Sequence, residues 1–197
     1  MRRVGAGRWM LGAVLALSCH RTPEDFAPST TSALTAPEAP PAVTPKVAPL
    51  DRGRGESRAD PACPPDDEPN LPALPRVTVK LVETKEGDKV VDAELARGEH
   101  DTTRGLMFRT RMAEDHGMLF LLPRAEHTFW MHNTCIPLDI VFIDGDRVVG
   151  VVESAPTLND DPRGGHLSSK VLELNAGYCK RHGVGIGTRV VIGDLPR

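Results

Sequence analysis

The chain has 197 residues, 24 basic and 27 acidic side chains, a formal net charge of −3, 18 prolines, 18 glycines and four cysteines. This balance of charge argues against a nucleic-acid binder that works through bulk positive charge, and no apolar run reaches the roughly 18 residues of a transmembrane helix. Thirteen prolines fall between Pro23 and Pro75, so the composition predicts an extended arm followed by one folded domain over residues 76–197.

The first 19 residues have the features of an export signal. Arginines at positions 2, 3 and 8 precede an uncharged core from Trp9 to Leu17, which is the arrangement of a signal peptide. The segment Leu15-Ala16-Leu17-Ser18-Cys19 resembles a bacterial lipobox, which implies cleavage after residue 18 and attachment of diacylglycerol to Cys19. We therefore expect a lipoprotein anchored in a membrane of the bacterial cell envelope, on the periplasmic side or in the outer membrane. An ordinary secreted protein is the alternative.

The segment after the lipid site is predicted to be a tether. Residues 20–75 are rich in Pro, Ala, Thr and Asp and show neither the strand nor the helix period. Such a composition buries too little apolar surface to offset the entropy lost on ordering. Residues 19–75 are therefore predicted to be a lipidated cysteine followed by a disordered linker. The linker acts as a spacer between the domain and a membrane surface, or it is a low-complexity tail.

The remaining sequence predicts a mostly β domain. Apolar and polar side chains alternate in several short segments separated by turn residues, and Pro123 interrupts one of them. The predicted strands are Val77–Val82, Val90–Leu95, Gly117–Leu122, His127–His132, Leu138–Ile143, Arg147–Val152, Val171–Leu174 and Arg189–Ile192. Short helices are predicted at Thr102–Phe108 and Tyr178–His182, with a loop over Ser154–Ser169. This pattern favours a compact single-domain β-sandwich or jelly-roll-like barrel with one or two short helices.

Several ordered motifs carry a family resemblance. They are Arg104-Gly105-Leu106-Met107-Phe108-Arg109, Gly117-Met118-Leu119-Phe120, Phe129-Trp130-Met131-His132-Asn133-Thr134, Ile136-Pro137-Leu138-Asp139-Ile140-Val141-Phe142-Ile143-Asp144 and Val171-Leu172-Glu173-Leu174. Together they resemble the bacterial and archaeal family called domain of unknown function 192. The resemblance covers about residues 77–192 and implies a compact, mostly β, jelly-roll-like domain. It implies no reaction.

A candidate ligand site follows from the motif residues. Asp139 lies in a strand that is apolar on both faces, and an unpaired buried carboxylate is very unfavourable. We expect Arg104 or Arg109 to pair with it. Arg104, Arg109, Asn133 and Asp139 could then orient a small polar ligand, although a purely structural brace, Asp to Arg or Asp to backbone, is the alternative for Asp139.

Trp130 extends this candidate site toward carbohydrate. Phe129 and Trp130 point to opposite faces of their strand, so one of them should enter the core while the other covers a surface or cleft. An exposed Trp130 beside Asn133 and Asp139 would suit stacking on a sugar ring. Packing of both rings in the core is the alternative.

Binding is favoured over catalysis. The sequence contains no Gly-x-Ser-x-Gly, His-Glu-x-x-His or Cys-x-x-Cys motif and no phosphate-binding glycine loop, and no cofactor is predicted. An envelope enzyme that uses Asp139 as acid or base is the competing hypothesis. A copper(I) site is a weaker one, since thioether and imidazole ligands suit that ion. Its candidate ligands are Met107, Met118, Met131, His127 and His132.

Three cysteines remain if Cys19 carries lipid. Cys63, Cys135 and Cys179 would lie in a compartment that permits disulfides, and three thiols allow three pairings. We expect a bridge between Cys135 and Cys179 because both lie in the predicted domain. Two separate buried thiols are the alternative.

Overall fold

The computed structural model describes residues 57–196. The predicted signal peptide over residues 1–18, the lipid site Cys19 and the linker as far as residue 56 lie outside the described residues. The elements in chain order are β1 (Ser57–Arg58), β2 (Arg76–Thr84), β3 (Gly87–Ala96), α1 (Glu99–Arg104), β4 (Arg111–Met112), β5 (His116–Met131), β6 (Leu138–Asp144), β7 (Arg147–Ala155), β8 (Asn159–Asn175), α2 (Tyr178–His182) and β9 (Arg189–Ile192). The prediction of a mostly β fold with short helices is confirmed. Along residues 57–196, neither helix has the length and apolar character needed to cross a bilayer.

Seven strands form one barrel-like sheet in the order β2-β3-β5-β8-β6-β7-β9. The neighbours are antiparallel except β3 and β5, which are parallel. Strand β9 pairs with β2 over four residues, but it meets β7 only at Arg147 and Arg189. Because β3 and β5 are parallel, the chain between them must cross over the sheet. This crossover segment, residues 97–115, carries α1 and β4.

The alternation of side chains along the strands builds two apolar clusters. All seven strands contribute to the cluster inside the barrel, with members such as Val79, Leu119 and Leu172. The second cluster includes Phe120 and Phe142 and lies on the other face of β5, β8 and β6, beside Leu106 of the crossover segment. Strand β6 is consequently buried on both faces, which explains its continuous apolar sequence.

Strands β5 and β8 are longer than the sequence predicts. The predicted loop Ser154–Ser169 is wrong over most of its length. Strand β8 begins at Asn159, and its first part pairs with the second half of β5, from Ala125 to Met131. Strand β5 also continues through Pro123, and its pairing with β8 is interrupted there between Leu121 and Ala125. A proline cannot donate to the ladder, so the irregularity accommodates it. Helix α1 begins three residues earlier and ends four residues earlier than predicted.

The part of the predicted linker that the structure describes lies against the domain. Strand β1 pairs with β4, and the amide of Asp60 donates to the Cys135 carbonyl over 2.7 Å. A disulfide joins Cys63 to Cys135, while Cys179 is a free, buried thiol. The expected bridge between Cys135 and Cys179 is therefore wrong, because Cys135 is already paired with a residue of the supposed linker. We call residues 60–69 the strap.

Candidate functional site

Asp139 acts as a structural brace at the end of the barrel. The side chain is fully buried, and its carboxylate accepts hydrogen bonds from the backbone N–H groups of Ser154 at 2.8 Å, Gly177 at 3.0 Å and Cys179 at 2.8 Å. These donors join β7 and the start of α2 to β6. Three backbone donors satisfy the buried carboxylate without a cation. Of the roles considered for Asp139, the structure therefore supports the structural brace between Asp139 and the backbone.

The two candidate arginines pair with other acids. Arg109 bonds to Glu94 of β3. Arg104, at the end of α1, meets Asp66, Asp67 and Glu68 of the strap. The expected pairing of Asp139 with Arg104 or Arg109 is therefore wrong, and Asp139 lies apart from the other candidate residues.

A cavity of about 270 Å³ lies between the crossover segment and the sheet. Its walls come from residues 102–107 of the crossover segment, from both halves of β5 and from Glu173 of β8. Phe129 packs edge-on against Phe120 at 5.1 Å and lies partly buried against the second apolar cluster, while Trp130 is 49% exposed at the rim. The prediction that these neighbouring rings take opposite faces is confirmed. We call this space the Glu173 cavity.

Glu173 is a buried carboxyl that has no hydrogen-bond or ion-pair partner among the described residues. The residue is only 4% exposed, it lies between Met118 of β5 and Ile140 of β6 in the sheet, and its side chain lines the cavity. Within residues 57–196 no hydrogen bond or ion pair reaches its carboxyl group. An unpaired buried polar group is unfavourable. A ligand that enters the cavity and forms a hydrogen bond with the Glu173 carboxyl would remove this cost, so the carboxyl is suited to bind such a ligand.

Burial also sets the protonation state of this carboxyl. It raises the pKa of Glu173 from 4.5 to about 8, because a low-dielectric surrounding disfavours the charged form. Near neutral pH the group is mostly a neutral acid, which can donate one hydrogen bond and accept others. Perturbed titratable groups in cavities are common at functional sites.

Two further cavities adjoin the first through Arg104. One, of about 620 Å³, is lined by Trp130, His132 and Asn133 together with strap residues. The other, of about 530 Å³, is lined by Arg109 and by the strap from Asp66 onward. Arg104 lines all three cavities. The structure thus brings together Arg104, Trp130 and Asn133, places Arg109 one cavity away, and removes Asp139 from the site.

The copper ligands proposed from the sequence are divided between the Glu173 cavity, which Met107 and His127 line, and other parts of the domain. Met118 and Met131 are buried in the apolar cluster, His127 bonds to the Pro123 carbonyl at 2.7 Å, and His132 bonds to Asp160 at 2.8 Å. Over residues 57–196 no cluster of three or more His, Cys, Asp or Glu side chains is arranged to hold a metal ion. The buried methionines fill space in the core, as methionine commonly does.

Sequence reasoning missed Glu173, although the signal was present. The residue stands in the apolar run Val171-Leu172-Glu173-Leu174, as Asp139 does in its own strand. The argument that a carboxylate in a doubly buried strand needs an explanation applies equally to both. Only the structure separates them, because backbone donors satisfy Asp139 and, among the described residues, none reaches the carboxyl of Glu173.

Comparisons with known proteins identify relatives but no activity. The family described as Uncharacterized ACR, DUF192, matches residues 81–192. A solved structure of a proposed transcription regulator from Sinorhizobium meliloti 1021 is similar, with 34% identity, a TM-score of 0.59 and coverage of 62% of this chain and 97% of that one. A protein of unknown function from Novosphingobium aromaticivorans DSM 12444 is similar, with 36% identity, a TM-score of 0.57 and coverage of 63% and 94%. No curated protein matches the chain significantly.

Proposed function

The chain belongs to the DUF192 family, whose description names no reaction, and we propose from the site itself that its β domain binds a small polar ligand of the carbohydrate class in the Glu173 cavity. The domain would act as a binding or accessory module of a lipoprotein tethered to the cell envelope through Cys19. The observation that carries the binding proposal is the buried, unpartnered carboxyl of Glu173, which lines a cavity with an exposed tryptophan at its rim.

The residues around the cavity suit a sugar ring. A pyranose has an apolar face, which stacks on an aromatic side chain such as Trp130, and a rim of hydroxyl groups. The protonated carboxyl of Glu173 can donate to one hydroxyl and accept from another. Thr102 and Thr103 line the same cavity and add hydroxyl groups of their own. Ligand sites commonly combine apolar and aromatic walls with a few polar groups that fix the orientation of the ligand.

Binding is favoured over the competing hypothesis of an enzyme. Asp139, the acid or base of that hypothesis, is fully buried and engaged by three backbone donors. Most glycoside hydrolases use two carboxyl groups on either side of the bond that breaks. Among the described residues that line the Glu173 cavity, Glu173 is the one acidic side chain. A single protonated carboxyl supports recognition better than hydrolysis.

Titration of the full-length chain with glucose and N-acetylglucosamine, followed by calorimetry and thermal shift, tests the binding proposal. We expect saturable binding that Trp130→Ala weakens about two- to tenfold, since an aromatic stacking contact contributes about 0.5–1.5 kcal/mol. Glu173→Leu, which removes the hydrogen-bonding group, should weaken binding at least as much. Ile186→Ala is the control, because Ile186 is 78% exposed and lines none of the three cavities. Equal affinities for Trp130→Ala and Ile186→Ala, or no binding by the unmodified protein, would overturn the proposal.

Metabolic labelling with radioactive palmitate in a bacterial host tests the lipid anchor. Two acyl chains hold a protein stably on a membrane, so the unmodified chain should be labelled and found in the membrane fraction. Cys19→Ser should be unlabelled and released, whereas the control Cys179→Ser should keep both properties. A labelled, membrane-bound Cys19→Ser protein would contradict a lipid at this position.

A further inference from the structure

Arg104 occupies the junction of the three cavities and is held there by contacts on both sides. Its guanidinium carbon lies 4.9 Å from the centre of the Phe108 ring, and its side chain is 17% exposed. The charged groups nearest to it all come from the strap, where Asp66 and Glu68 accept hydrogen bonds and Asp67 lies 3.5 Å away. A cation at the meeting point of three cavities is thus covered by acidic side chains of the same chain.

The strap is fastened to the domain close to these acids. The Cys63–Cys135 disulfide precedes Asp66 by three residues, and Asp60 accepts a hydrogen bond from the Thr157 hydroxyl at 2.7 Å. An attached group competes for a site at an effective concentration set by the length of its tether, and a short tether makes that concentration high. The covalent bond therefore keeps the acidic side chains at Arg104.

Acidic side chains outnumber the cations at this contact. Three carboxylates face the Arg104 guanidinium, and they are more exposed than it is, at 34% for Asp66, 77% for Asp67 and 47% for Glu68. His100 is a second partner of Glu68, at 3.0 Å. The hydrogen bond from Arg104 lowers the pKa of Asp66, so this carboxyl stays ionised. Exposed ion pairs contribute little to stability. These ion pairs therefore add little to the covalent attachment of the strap, and another anion of comparable charge could replace its side chains on Arg104.

We propose that Arg104 is an anion subsite of the Glu173 cavity, that the acidic side chains of the strap occupy it as an intramolecular competitor, and that the preferred ligand is a sugar acid. The inference rests on the proposed function and names its ligand class. The ring of a sugar acid stacks on Trp130, a hydroxyl meets Glu173, and the carboxylate takes the place of the strap on Arg104. An arginine binds a carboxylate through two parallel hydrogen bonds, which a neutral sugar cannot use.

Reduction of the disulfide by a dithiol would lower the effective concentration of this competitor. Cys63 is half-buried whereas Cys135 is fully buried, so a dithiol reductant reaches the Cys63 sulfur first. One reductant thiolate bonds to that sulfur and Cys135 leaves as a thiolate that takes up a proton. The second reductant thiolate then displaces the Cys63 thiolate, which is also protonated, and the reductant ends as a disulfide.

Affinities of the full-length oxidised chain for glucose and glucuronate test this proposal, because the two probes differ by one carboxylate. In Asp66→Asn/Asp67→Asn/Glu68→Gln, the competitor loses its charge, and we expect glucuronate to bind about tenfold more tightly with glucose unchanged. Arg104→Gln should abolish the preference for glucuronate, and Arg104→Lys should retain part of it. Added NaCl should weaken glucuronate binding and leave glucose binding unaffected.

A matched control carries the same change of charge away from the site. Glu126→Gln/Glu153→Gln/Asp194→Asn neutralises three exposed acids that line none of the three cavities, and it should leave the glucuronate affinity unchanged. An equal gain in this control, or no gain in the strap variant, would show that the strap does not compete at Arg104. If glucose binds and the Arg104 variants leave the glucuronate affinity unchanged, the proposal of an anion subsite is wrong and the proposed function stands. Failure of both sugars to bind every variant overturns the proposed function as well.

Discussion

Gly105 lies directly against the carboxyl group of Glu173. A Cβ atom at position 105 would be 4.0 Å from Glu173 Oε2 and 3.2 Å from Cζ of Phe120. Gly105 also ends α1 with φ 50° and ψ −130°, a backbone conformation that side chains strongly disfavour. The backbone therefore turns here where only a glycine fits, and this turn sets the wall of the cavity.

Gly105→Ala should destabilise the domain and narrow the cavity. The strained backbone alone contributes about 1–3 kcal/mol, and contact with Phe120 adds to it. Urea denaturation measures the loss. Gly98→Ala is the control, because Gly98 has φ −82° and a Cβ there would meet only the Asp101 carboxylate at 3.8 Å. Equal losses in the two variants would mean that the conformation of Gly105 is not required.

The stability of the protein should depend on pH through Glu173. The pKa of this group is 4.5 for an unperturbed glutamate and about 8 in the folded protein, so the folded state binds the extra proton between these values. The free energy of unfolding should therefore fall as pH rises from about 4.5 to about 8, by a few kcal/mol, and this contribution is fully present only below the lower value.

Glu173→Gln should remove this pH dependence, because the amide stays neutral. Denaturation at a series of pH values should show that the free energy of unfolding of the variant increases relative to that of the unmodified protein as pH rises. Arg104 and His127 line the same cavity and are present in both proteins, so their contributions largely cancel in the difference. Glu153→Gln, at an exposed position, is the control, and parallel pH profiles for Glu173→Gln and the unmodified protein would refute the assignment.

Asp139→Ala should be among the most damaging substitutions in the domain. It leaves three backbone N–H groups without their acceptor, and each buried unsatisfied group is unfavourable by about 1–3 kcal/mol. We expect a loss of several kcal/mol in urea denaturation, with a smaller loss for Asp139→Asn, which keeps one acceptor oxygen. Asp160→Ala changes a 69% exposed side chain and should have little effect. A stable Asp139→Ala protein would argue against the brace.

Thiol alkylation should separate the three cysteines of the described region. In the native, oxidised protein Cys179 should resist iodoacetamide, since burial raises the pKa of its thiol and the reactive form is the thiolate. After denaturation without reductant it should react fully, and digestion should yield one peptide pair joined through Cys63 and Cys135. A pair joined through Cys135 and Cys179 would show that the disulfide is placed wrongly.

Local patterns predicted the strands of the two hairpins well. The predicted strands Val77–Val82 and Val90–Leu95 correspond to β2 and β3, and Leu138–Ile143 and Arg147–Val152 correspond to β6 and β7. The loop prediction at Ser154–Ser169 failed because Gly164 and its polar neighbours have the composition of a loop. In the structure the ring of Phe142 lies where a Cβ of Gly164 would be, so this glycine serves close packing within a paired strand.

The site was predicted less well, because its walls come from distant parts of the sequence. Arg104 and Trp130 were identified as candidates, but their relation to Glu173 depends on how the crossover segment lies over β5 and β8. The partners of Arg104 lie in the strap, where the sequence predicted disorder from low hydrophobicity alone. The disulfide and the hydrogen bonds of Asp60 hold the strap instead of apolar burial, and composition does not report such contacts.

The pairing of β2 with β9 has a consequence for how the protein must be made. These are the first and last strands of the barrel-like sheet, so a chain that is still emerging from the ribosome or from a translocation channel lacks one of them. Until β9 arrives, β2 has an unpaired edge that can pair with other chains. Contacts between such distant segments also slow folding. The nascent domain therefore remains prone to aggregation until β9, the last strand to emerge, pairs with β2.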